Sequence, residues 1–386
     1  MRPWALGALI ALGALTFPLL SSGRTAACGP TLSIVPSASP GQAYSALVSV
    51  DAVSPSLAWA GGNWRAAGTN SSDRALFERW DGSAWVAIKG RNVSSGDNYL
   101  SDVGIVSAKS VWAVGGAALA KKSKVLVEHW TPGGVTVVKS PSPTSSVLTG
   151  LEVISGRNMW AVGIRDLTGP GRPLIEHWNG KEWAVVAAPG PVGSTLRAID
   201  ALSASDIWAV GRVLKNGVSK TLIEHWNGKS WKVVPSPSRG TTPNHLTAVD
   251  AIASNNVWAV GYILGPNNSY ATNLIEHWNG SSWQVVGSPS GGAFLNLLAG
   301  VASVSANDVW AVGISAAQPE TPSGYKTMVL HWNGAAWTLV SSPSPSPPDG
   351  YNVLAGVAAL HSGQVWAVGD YRAETKFDTL VLNRCG

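Results

Sequence analysis

Charged side chains are scarce in this sequence. Only 13% of the 386 residues are Asp, Glu, Lys or Arg, whereas Gly, Pro and Trp number 43, 24 and 20. Such a composition is typical of many short strands joined by turns, and it argues against a mainly helical fold or a disordered tail. The formal net charge of +5 is also small. It does not indicate recognition of nucleic acid.

Long apolar runs are lacking beyond the N-terminus. Residues 1–27 resemble an export signal, with Arg2, an apolar stretch from Trp4 to Leu20, and the small residues 25–27 before a cleavage point. Gly, Thr and Pro interrupt this stretch and no second one follows, so we expect no transmembrane helix. The sequence therefore predicts a signal peptide over 1–27 and a secreted or extracytoplasmic mature chain over 28–386.

Recognised catalytic signatures are lacking as well. The sequence contains no Walker loop, no G-x-S-x-G turn and no H-E-x-x-H pair. His245 and His361 are the only histidines outside a repeated position described below. No cofactor is indicated, and the residues favour a non-enzymatic role.

What the sequence does contain is a repeat of roughly fifty residues. A "VWAVG"-like motif recurs at intervals of 48 to 56 residues. A full unit has an alternating strand "LTAVDAIAS" (246–254), a second strand "NVWAVGY" (256–262) ended by Gly, a variable loop, and "NLIEHW" (273–278). The pair Asn-Gly predicts a hairpin, because both residues accept the positive φ of a tight turn. A Trp-containing strand after this hairpin completes the unit. The motif tryptophans are Trp59, Trp112, Trp160, Trp208, Trp258, Trp310 and Trp366.

Four short strands per unit, ending in Trp and "PSPSP", resemble the kelch repeats of galactose-oxidase-like propellers. The resemblance covers nearly the whole mature chain, although paired glycines remain only at Gly61-Gly62 and Gly115-Gly116 and the hairpin is two residues shorter. It implies an all-β, seven-bladed β-propeller with four-stranded blades. The copper chemistry of galactose oxidase would need a cysteine joined to tyrosine. The two cysteines of this sequence, Cys28 and Cys385, are predicted to have another role, given below, so neither is available for that chemistry.

The "EHW" phrase places histidine and glutamate at two repeated positions. A ring of repeats spreads each such column around its circumference, so the side chains cannot converge on one metal or catalytic centre. We therefore expect packing or hydrogen bonding between blades, and packing also for the repeated tryptophans. The columns are His129, His177, His225, His277 and His331, and Glu78, Glu128, Glu176, Glu224 and Glu276.

Ligand contacts are expected on the face that carries the long loops, because function concentrates on loops over a rigid scaffold. Trp64, in "GGNWRAAG", is outside the repeated columns and is predicted in such a loop, either as a recognition residue or as an incidentally exposed one. A basic column precedes the third-strand Trp by six positions. These side chains either keep the protein soluble and pack their aliphatic portions on neighbouring residues, or form a basic rim that attracts an anionic polymer. Its members are Arg74, Lys124, Arg172, Lys220 and Lys326.

A second polar column lies on the innermost strand. Its carboxylates either accept hydrogen bonds from a neighbouring blade, which we favour, or hold a hard cation near the axis. They are Asp51, Glu152, Asp200 and Asp250, with Gly104, Ala302 and Ala358 in the remaining units.

The chain termini are predicted to share the last blade. The seventh unit stops at "DTLVLNRCG", and its missing outer strand is supplied by "TLSIVPSASP" (31–40). In this alignment Cys28 and Cys385 fall at one hairpin, within reach of a disulfide in an oxidising compartment. The competing interpretation is a lipoprotein, because "TAAC" resembles a lipobox that would place a lipid anchor on Cys28.

The sequence as a whole favours a monomeric, exported binding module. Its partner would be a glycan or an extracellular or cell-surface protein, bound by the long-loop face. The alternatives are a lyase or hydrolase with its site at the central channel, and a purely structural surface scaffold. Fold alone does not choose between them.

Overall fold

The computed structural model describes residues 31–68, 71–119, 122–318, 324–347 and 350–385. These ranges contain β-strands and one turn of 3₁₀ helix, Pro266–Asn268. None of their helical segments is long and apolar enough to cross a membrane. The predicted signal peptide over 1–27 and Cys28 lie outside the described residues.

The strands form three four-stranded and two eight-stranded sheets. Each eight-stranded sheet consists of two four-stranded antiparallel groups joined by one parallel pair, Ala271 with Leu295 or Tyr44 with Phe377, and we number the four-stranded groups as units 1 to 7. Each unit has an innermost, a second, a third and an outermost strand. Unit 1 contains β2 (Tyr44–Ser54), β3 (Leu57–Arg65), β4 (Arg74–Trp80) and β5 (Trp85–Lys89); unit 2 contains β6 (Asn98–Ser107), β7 (Ser110–Leu119), β8 (Lys122–Thr131) and β9 (Gly134–Val137); unit 3 contains β10 (Val147–Ser155), β11 (Asn158–Arg165), β12 (Arg172–Trp178) and β13 (Trp183–Val186). Unit 4 contains β14 (Ser194–Ser203), β15 (Asp206–Lys215), β16 (Val218–Trp226) and β17 (Trp231–Val234); unit 5 contains β18 (Asn244–Ala253), β19 (Asn256–Leu264), β20 (Ala271–Trp278) and β21 (Trp283–Val285). Unit 6 contains β22 (Leu295–Ser305), β23 (Asp308–Ala316), β24 (Lys326–Trp332) and β25 (Trp337–Val340); unit 7 contains β26 (Asn352–Ala359), β27 (Val365–Ala373), β28 (Lys376–Arg384) and, from the other end of the chain, β1 (Ser33–Ile34).

Apolar packing joins each unit to the next. The described residues form seven buried clusters, and each contains side chains of two consecutive units. Trp208 of unit 4, for example, contacts Trp278 and Trp283 of unit 5 at ring separations of 5.2 and 5.5 Å. One cluster combines residues of unit 7 with residues of unit 1, including Trp366 and Trp85. The core therefore lies between the sheets, as expected when each sheet buries both of its faces.

The glycine of the "VWAVG" motif has a different role from the one we predicted. It does not end the second strand; Gly261, for example, lies within β19. The innermost strand carries a bulge opposite this glycine, between Leu246 and Ala248 in unit 5. A Cβ added to Gly261 would lie 2.0 Å from the carbonyl oxygen of His245. Only glycine allows the two backbones to approach so closely.

The Asn-Gly hairpin is also built differently from the prediction. In unit 4, Gly228 has a positive φ of 85°, but Asn227 is not among the residues with positive φ. Asn227 acts through its side chain, whose Oδ1 accepts the backbone N–H groups of Lys229 and Ser230 at 3.1 and 3.0 Å. The turn is thus an Asx turn between the paired Trp226 and Trp231.

The all-β, propeller-like fold predicted from the repeats is confirmed. Residues from the two ends of the described chain also pair with one another. Ser33 and Ile34 pair with Asn383 and Leu382 of β28, and Val35 N–H donates to the carbonyl of Val381 at 2.9 Å.

Candidate functional site: the central channel

The innermost strands surround a channel. Each contacts the innermost strand of the following unit, and β26 contacts β2. Three cavities follow one another along this channel and share lining residues, with volumes of about 350, 160 and 410 Å³. We call them the mouth, the bulge ring and the acid chamber. The mouth lies at the starts of the innermost strands, on the long-loop face, and the acid chamber lies toward the tight turns.

The acid chamber is lined by carboxylates from five consecutive units and by alanine in the other two. All four members of the predicted column are there, with Ala302 and Ala358 opposite them. A fifth carboxylate, Asp102, was missed because it lies two positions before the column residue Gly104. The five are Asp51, Asp102, Glu152, Asp200 and Asp250.

Gly104 explains this displacement. A Cβ on Gly104 would lie 2.5 Å from Cγ2 of Val153 in unit 3, so a side chain there would require the side chain of Val153 to shift. Unit 2 therefore supplies its carboxylate from Asp102.

Most of these carboxylates connect neighbouring units. Asp51 accepts the N–H of Ile105 at 2.7 Å, Asp102 accepts that of Leu151 at 2.8 Å, and Asp200 accepts that of Ala251 at 2.5 Å. Asp102 also accepts the hydroxyl of Ser49 in the preceding unit. The favoured hydrogen-bonding role is thus visible in the geometry.

Desolvation by the channel wall raises the pKa of every one of these groups. It raises the pKa of Asp102 and Asp200 to about 6 and that of Asp250 to about 7, where the charge of Asp200 adds to the effect. The pKa of Glu152 is also raised by desolvation and then by the negative charge of Asp200, to which it is hydrogen-bonded. Burial likewise raises the pKa of Asp51.

The alternative role of this column, as a cation site, stays a prediction from the sequence. No group of three or more His, Cys, Asp or Glu side chains there is arranged to hold a metal ion.

The bulge ring is the narrow middle of the channel. Every innermost strand has its bulge at the same place, and the bulged residues line this cavity. Thr149 and Thr247 use their hydroxyls to bond the backbone of the next unit, donating to Leu196 O at 3.0 Å and Leu298 O at 2.8 Å. The seven residues are Val48, Ser101, Thr149, Arg197, Thr247, Ala299 and Ala355. Arg197 is the one charged member.

The mouth gathers unlike polar residues from different units. Arg197 of unit 4 lines it together with Asn63 and Asp73 of unit 1 and Tyr99 of unit 2. Asp73 is held by Arg65, whose Nη2 lies 2.8 Å from Oδ1 of Asp73. The other three side chains make no side-chain hydrogen bond within the described residues.

His245 lies close to this group. Its ring stacks on Tyr262 with centroids 4.9 Å apart and an interplanar angle of 6°. Desolvation, followed by the positive charges of Arg212 and Arg197, lowers the pKa of His245 to about 4. The imidazole is therefore neutral at neutral pH, in a positively charged surrounding.

The predicted basic column lies at the starts of the third strands, spread over five units and away from the channel. Three members are already engaged: Arg74 with the carbonyls of Ser94 and Gly96, Arg172 with Asp166, and Lys220 with the carbonyl of Gly240. Lys124 and Lys326 are exposed. The five do not converge on one point.

The prediction that Trp64 lies in a loop is wrong. Trp64 is in β3, paired with Ser45 and Arg74, and it packs against the cluster between units 7 and 1. Lys89 Nζ lies 4.8 Å from the centre of its ring. The strand extends past the motif glycines because the long innermost strand β2 provides pairing partners up to Tyr44.

The repeated histidines pack as expected for scaffold residues. Each ring lies 4.1–4.4 Å from the ring of the motif Trp in its own unit. Each Nε2 also bonds a Ser, Asn or Asp two residues before that Trp, at 2.8–2.9 Å; His225 bonds Asp206.

The glutamate column is fully buried between units. Glu128 accepts the N–H of Arg91 at 2.7 Å, Glu224 accepts that of Gly190 at 3.0 Å, and Glu176 accepts the hydroxyl of Ser140. These donors all lie in the linker that precedes the unit. Burial raises the pKa of the five glutamates to about 7 or 8.

Arg197 and Tyr99 were not among the predicted site residues. A sequence signal for Arg197 did exist: it is an arginine at a position where the other units have Val, Ser, Thr or Ala. No comparable signal marked Tyr99 or Asn63, because their convergence depends on how the units are arranged.

No protein-family model and no curated protein matches the chain. Its structure is similar to the extracellular domain of a putative hybrid two-component system from B. thetaiotaomicron, with a TM-score of 0.51 and 13% identity, over 91% of this chain and 39% of that chain. It is also similar to a protein of unknown function from Dyadobacter fermentans, with a TM-score of 0.50 and 11% identity, over 92% of this chain and 98% of that chain. At such identities the likeness shows the fold alone. The kelch-like resemblance stays an expectation from the sequence.

Proposed function

We propose that the chain is an exported, monomeric binding module that recognises a glycan at the mouth of its channel. In this proposal the seven units form a closed propeller whose last blade combines both chain ends. The extracytoplasmic location rests on the signal-like residues 1–27.

Ring closure is supported by contacts at the seam between units 7 and 1. Trp366 packs on Trp80 and Trp85 with ring centroids 5.1 and 5.2 Å apart, which matches the tryptophan packing at most other unit boundaries. Tyr44 of β2 also pairs in parallel with Phe377 of β28.

A Cys28–Cys385 disulfide would make this closure covalent. The pairing of β1 with β28 brings the chain on the C-terminal side of Cys28 beside the strand that precedes Cys385. The chain-entropy model gives such a long closed loop a stabilisation of about 5–6 kcal/mol at most. Mass spectrometry of the non-reduced mature protein tests it. A linked peptide pair supports the disulfide, and an acylated Cys28 with a free thiol at Cys385 would overturn it in favour of a lipid anchor.

The observation that carries the binding proposal is the chemistry of the mouth. Elsewhere the polar columns repeat from unit to unit, whereas Asn63, Tyr99 and Arg197 are unlike one another, come from three units and make no side-chain hydrogen bond among the described residues. A concave site with a few convergent polar groups is the usual form of a ligand pocket, and its volume of about 350 Å³ is within the range of about 300–1,000 Å³ found for such pockets. Hydroxyl-rich sugars match this mixture of amide, phenol and guanidinium groups.

A glycan-array screen of the mature protein tests the proposal. We expect binding to a restricted set of glycans, lost when Tyr99 and Asn63 are both replaced by Ala in a protein of unchanged fold by circular dichroism. Capture of a surface protein with no glycan bound would replace the glycan by a protein partner. Binding that survives the double substitution would move the site elsewhere.

A lyase or hydrolase remains the second candidate function, because Glu152 and Asp200 form a hydrogen-bonded carboxyl pair with raised pKa values beside a cavity of about 410 Å³. Such a pair is able to supply a general acid at neutral pH. Turnover of a glycan by the wild type that is abolished by Glu152→Gln would establish it. Turnover unchanged by Glu152→Gln would exclude this pair as the catalytic group.

A further inference from the structure

Arg197 is the exception in an otherwise repeated ring. At the bulge of the innermost strand, six units have small or uncharged residues, and unit 4 alone has a cation. A bulge re-aims its side chain away from the regular pleat, and here the side chain lines both the bulge ring and the mouth.

Arg197 is exposed and makes no side-chain hydrogen bond with any other residue that the structure describes. It takes part in none of the ion pairs found among the described residues. By contrast, Arg65 is paired with Asp73, and Arg212 donates to the hydroxyl of Ser219 at 3.0 Å. Arg197 is therefore the cation of this region that is available to a ligand.

The charge balance around the mouth also favours an anion near Arg197. The acids of this region, Asp73 and Asp97, both act on Arg65, which is paired with Asp73. The positive charges of Arg212 and Arg197 act on His245. The surrounding Tyr99, Ser101 and Asn63 offer hydrogen-bonding groups without charge.

We propose that the mouth binds a hexuronic acid residue of an acidic glycan, with the carboxylate on Arg197 and the ring hydroxyls on Asn63, Tyr99 and Asp73. The planar guanidinium matches a carboxylate by two parallel hydrogen bonds. The remaining carboxylate oxygen of Asp73 and the amide of Asn63 suit pairs of sugar hydroxyls. This assignment rests on the proposed glycan-binding function and specifies its ligand class.

The decisive comparison uses one ligand in two charge states. Calorimetric titration with an oligogalacturonide and with its methyl ester separates the contribution of the carboxylate to binding from that of the sugar ring. Titration with a sulfated neutral oligosaccharide distinguishes a site for carboxylates from a site for anions in general. We expect the wild type to bind the free acid at least about tenfold more tightly than the ester, since one charge-assisted bidentate contact contributes on that order. We expect weaker binding of the sulfated ligand.

Arg197→Met keeps the apolar stem and removes the guanidinium. It should weaken binding of the free acid about tenfold or more and leave binding of the ester unchanged. Arg157→Met is the matched control, because Arg157 is exposed in the tight turn between β10 and β11, at the other end of the channel. Both variants should unfold at the temperature of the wild type, since neither side chain has an ion-pair partner in the described part of the chain.

A second measurement reports anion binding at Arg197 through the pKa of His245 and does not depend on the binding affinity. An anion bound at Arg197 should raise the pKa of the His245 imidazole from its low value, as measured by NMR titration, in the wild type and not in Arg197→Met. Equal binding of acid and ester, or full binding by Arg197→Met, would overturn the uronate assignment while glycan recognition stands. No binding of any glycan would overturn both.

Discussion

The two ends of the channel use polar residues in opposite ways. At the acid chamber, similar carboxylates recur in consecutive units, and Asp51, Asp102 and Asp200 each accept an N–H of the next unit. At the mouth, Asn63, Tyr99 and Arg197 have no counterpart in other units and no side-chain hydrogen bond among the described residues. One end joins the units together, and the other presents free groups to solvent.

This difference distinguishes polar residues with a structural role from polar residues that bind a ligand in a repeat protein. A buried polar group that is repeated and partnered stabilises the interface where it occurs. An unrepeated and unpartnered group at an open cavity contributes nothing comparable to folding, so its substitution should leave stability intact. Stability should therefore follow the acid chamber and the buried columns, and binding should follow the mouth.

The largest effect is expected from pH. Desolvation raises the pKa of Asp250 from its ordinary 3.8 to about 7, so the folded state binds a proton that the unfolded state releases. The stability that this proton binding contributes is fully present at a pH below the pKa of the unfolded state. It is lost as the pH rises through the pKa of the folded state. We expect the free energy of unfolding to fall between pH 4 and pH 8, with up to about 4 kcal/mol from this group.

Thermal denaturation across this pH range measures the effect. Asp250→Asn should remove this group's share of the dependence and leave the share of the other carboxyls with raised pKa values, whereas Glu182→Gln, at an exposed hairpin position, should change nothing. Stability that rises toward pH 8 would contradict the desolvation of the chamber. Glycan affinity should change little over the same range.

The next effect concerns the hydrogen bond between units 4 and 5. Asp200→Ala leaves the N–H of Ala251 without its acceptor, and an unsatisfied buried donor costs about 1–3 kcal/mol. Asp200→Asn keeps an oxygen in place and should cost less. Urea denaturation gives both values. A glycan affinity that falls in parallel with stability would show that the two ends of the channel are not independent.

The histidine column should have a smaller effect on stability. His225 stacks on Trp208 at 4.1 Å and bonds Asp206 at 2.8 Å. His225→Ala should destabilise the fold by about 1–2 kcal/mol, through the lost ring contact and hydrogen bond. Lys229→Ala, in the exposed hairpin nearby, serves as the control. A loss of glycan binding by well-folded His225→Ala would reassign this column to function.

The basic rim should have the smallest effect. Lys124 and Lys326 are exposed and far from the channel axis, so their charges act on an acidic polysaccharide only at long range. Lys124→Ala with Lys326→Ala should weaken binding about twofold at low salt and not at physiological salt, where charges separated by more than about 8 Å are screened. Lys181→Ala, on the tight-turn face, should have no effect. A loss as large as that of Arg197→Met would place the anion site on the rim.

Most of the fold was predictable because each unit repeats its local signals. Trp258 and Gly261 mark the second strand, and Asn279-Gly280 mark a hairpin in the place where the structure has one. The roles of the motif glycine and of the hairpin asparagine were misassigned. Both depend on a neighbouring backbone, the bulged strand for Gly261 and the turn N–H groups for Asn279.

The sequence by itself determined the repeat, the strand order and which polar residues belong to the scaffold, because these follow from periodicity within one unit and its copies. Tertiary structure decided that Trp64 packs in a strand, that Asp102 replaces the carboxylate excluded at Gly104, and that Arg197 meets Tyr99 and Asn63 at one cavity. These residues come from units that are distant in sequence. Their convergence depends on how the units pack around a common axis, which no local pattern encodes.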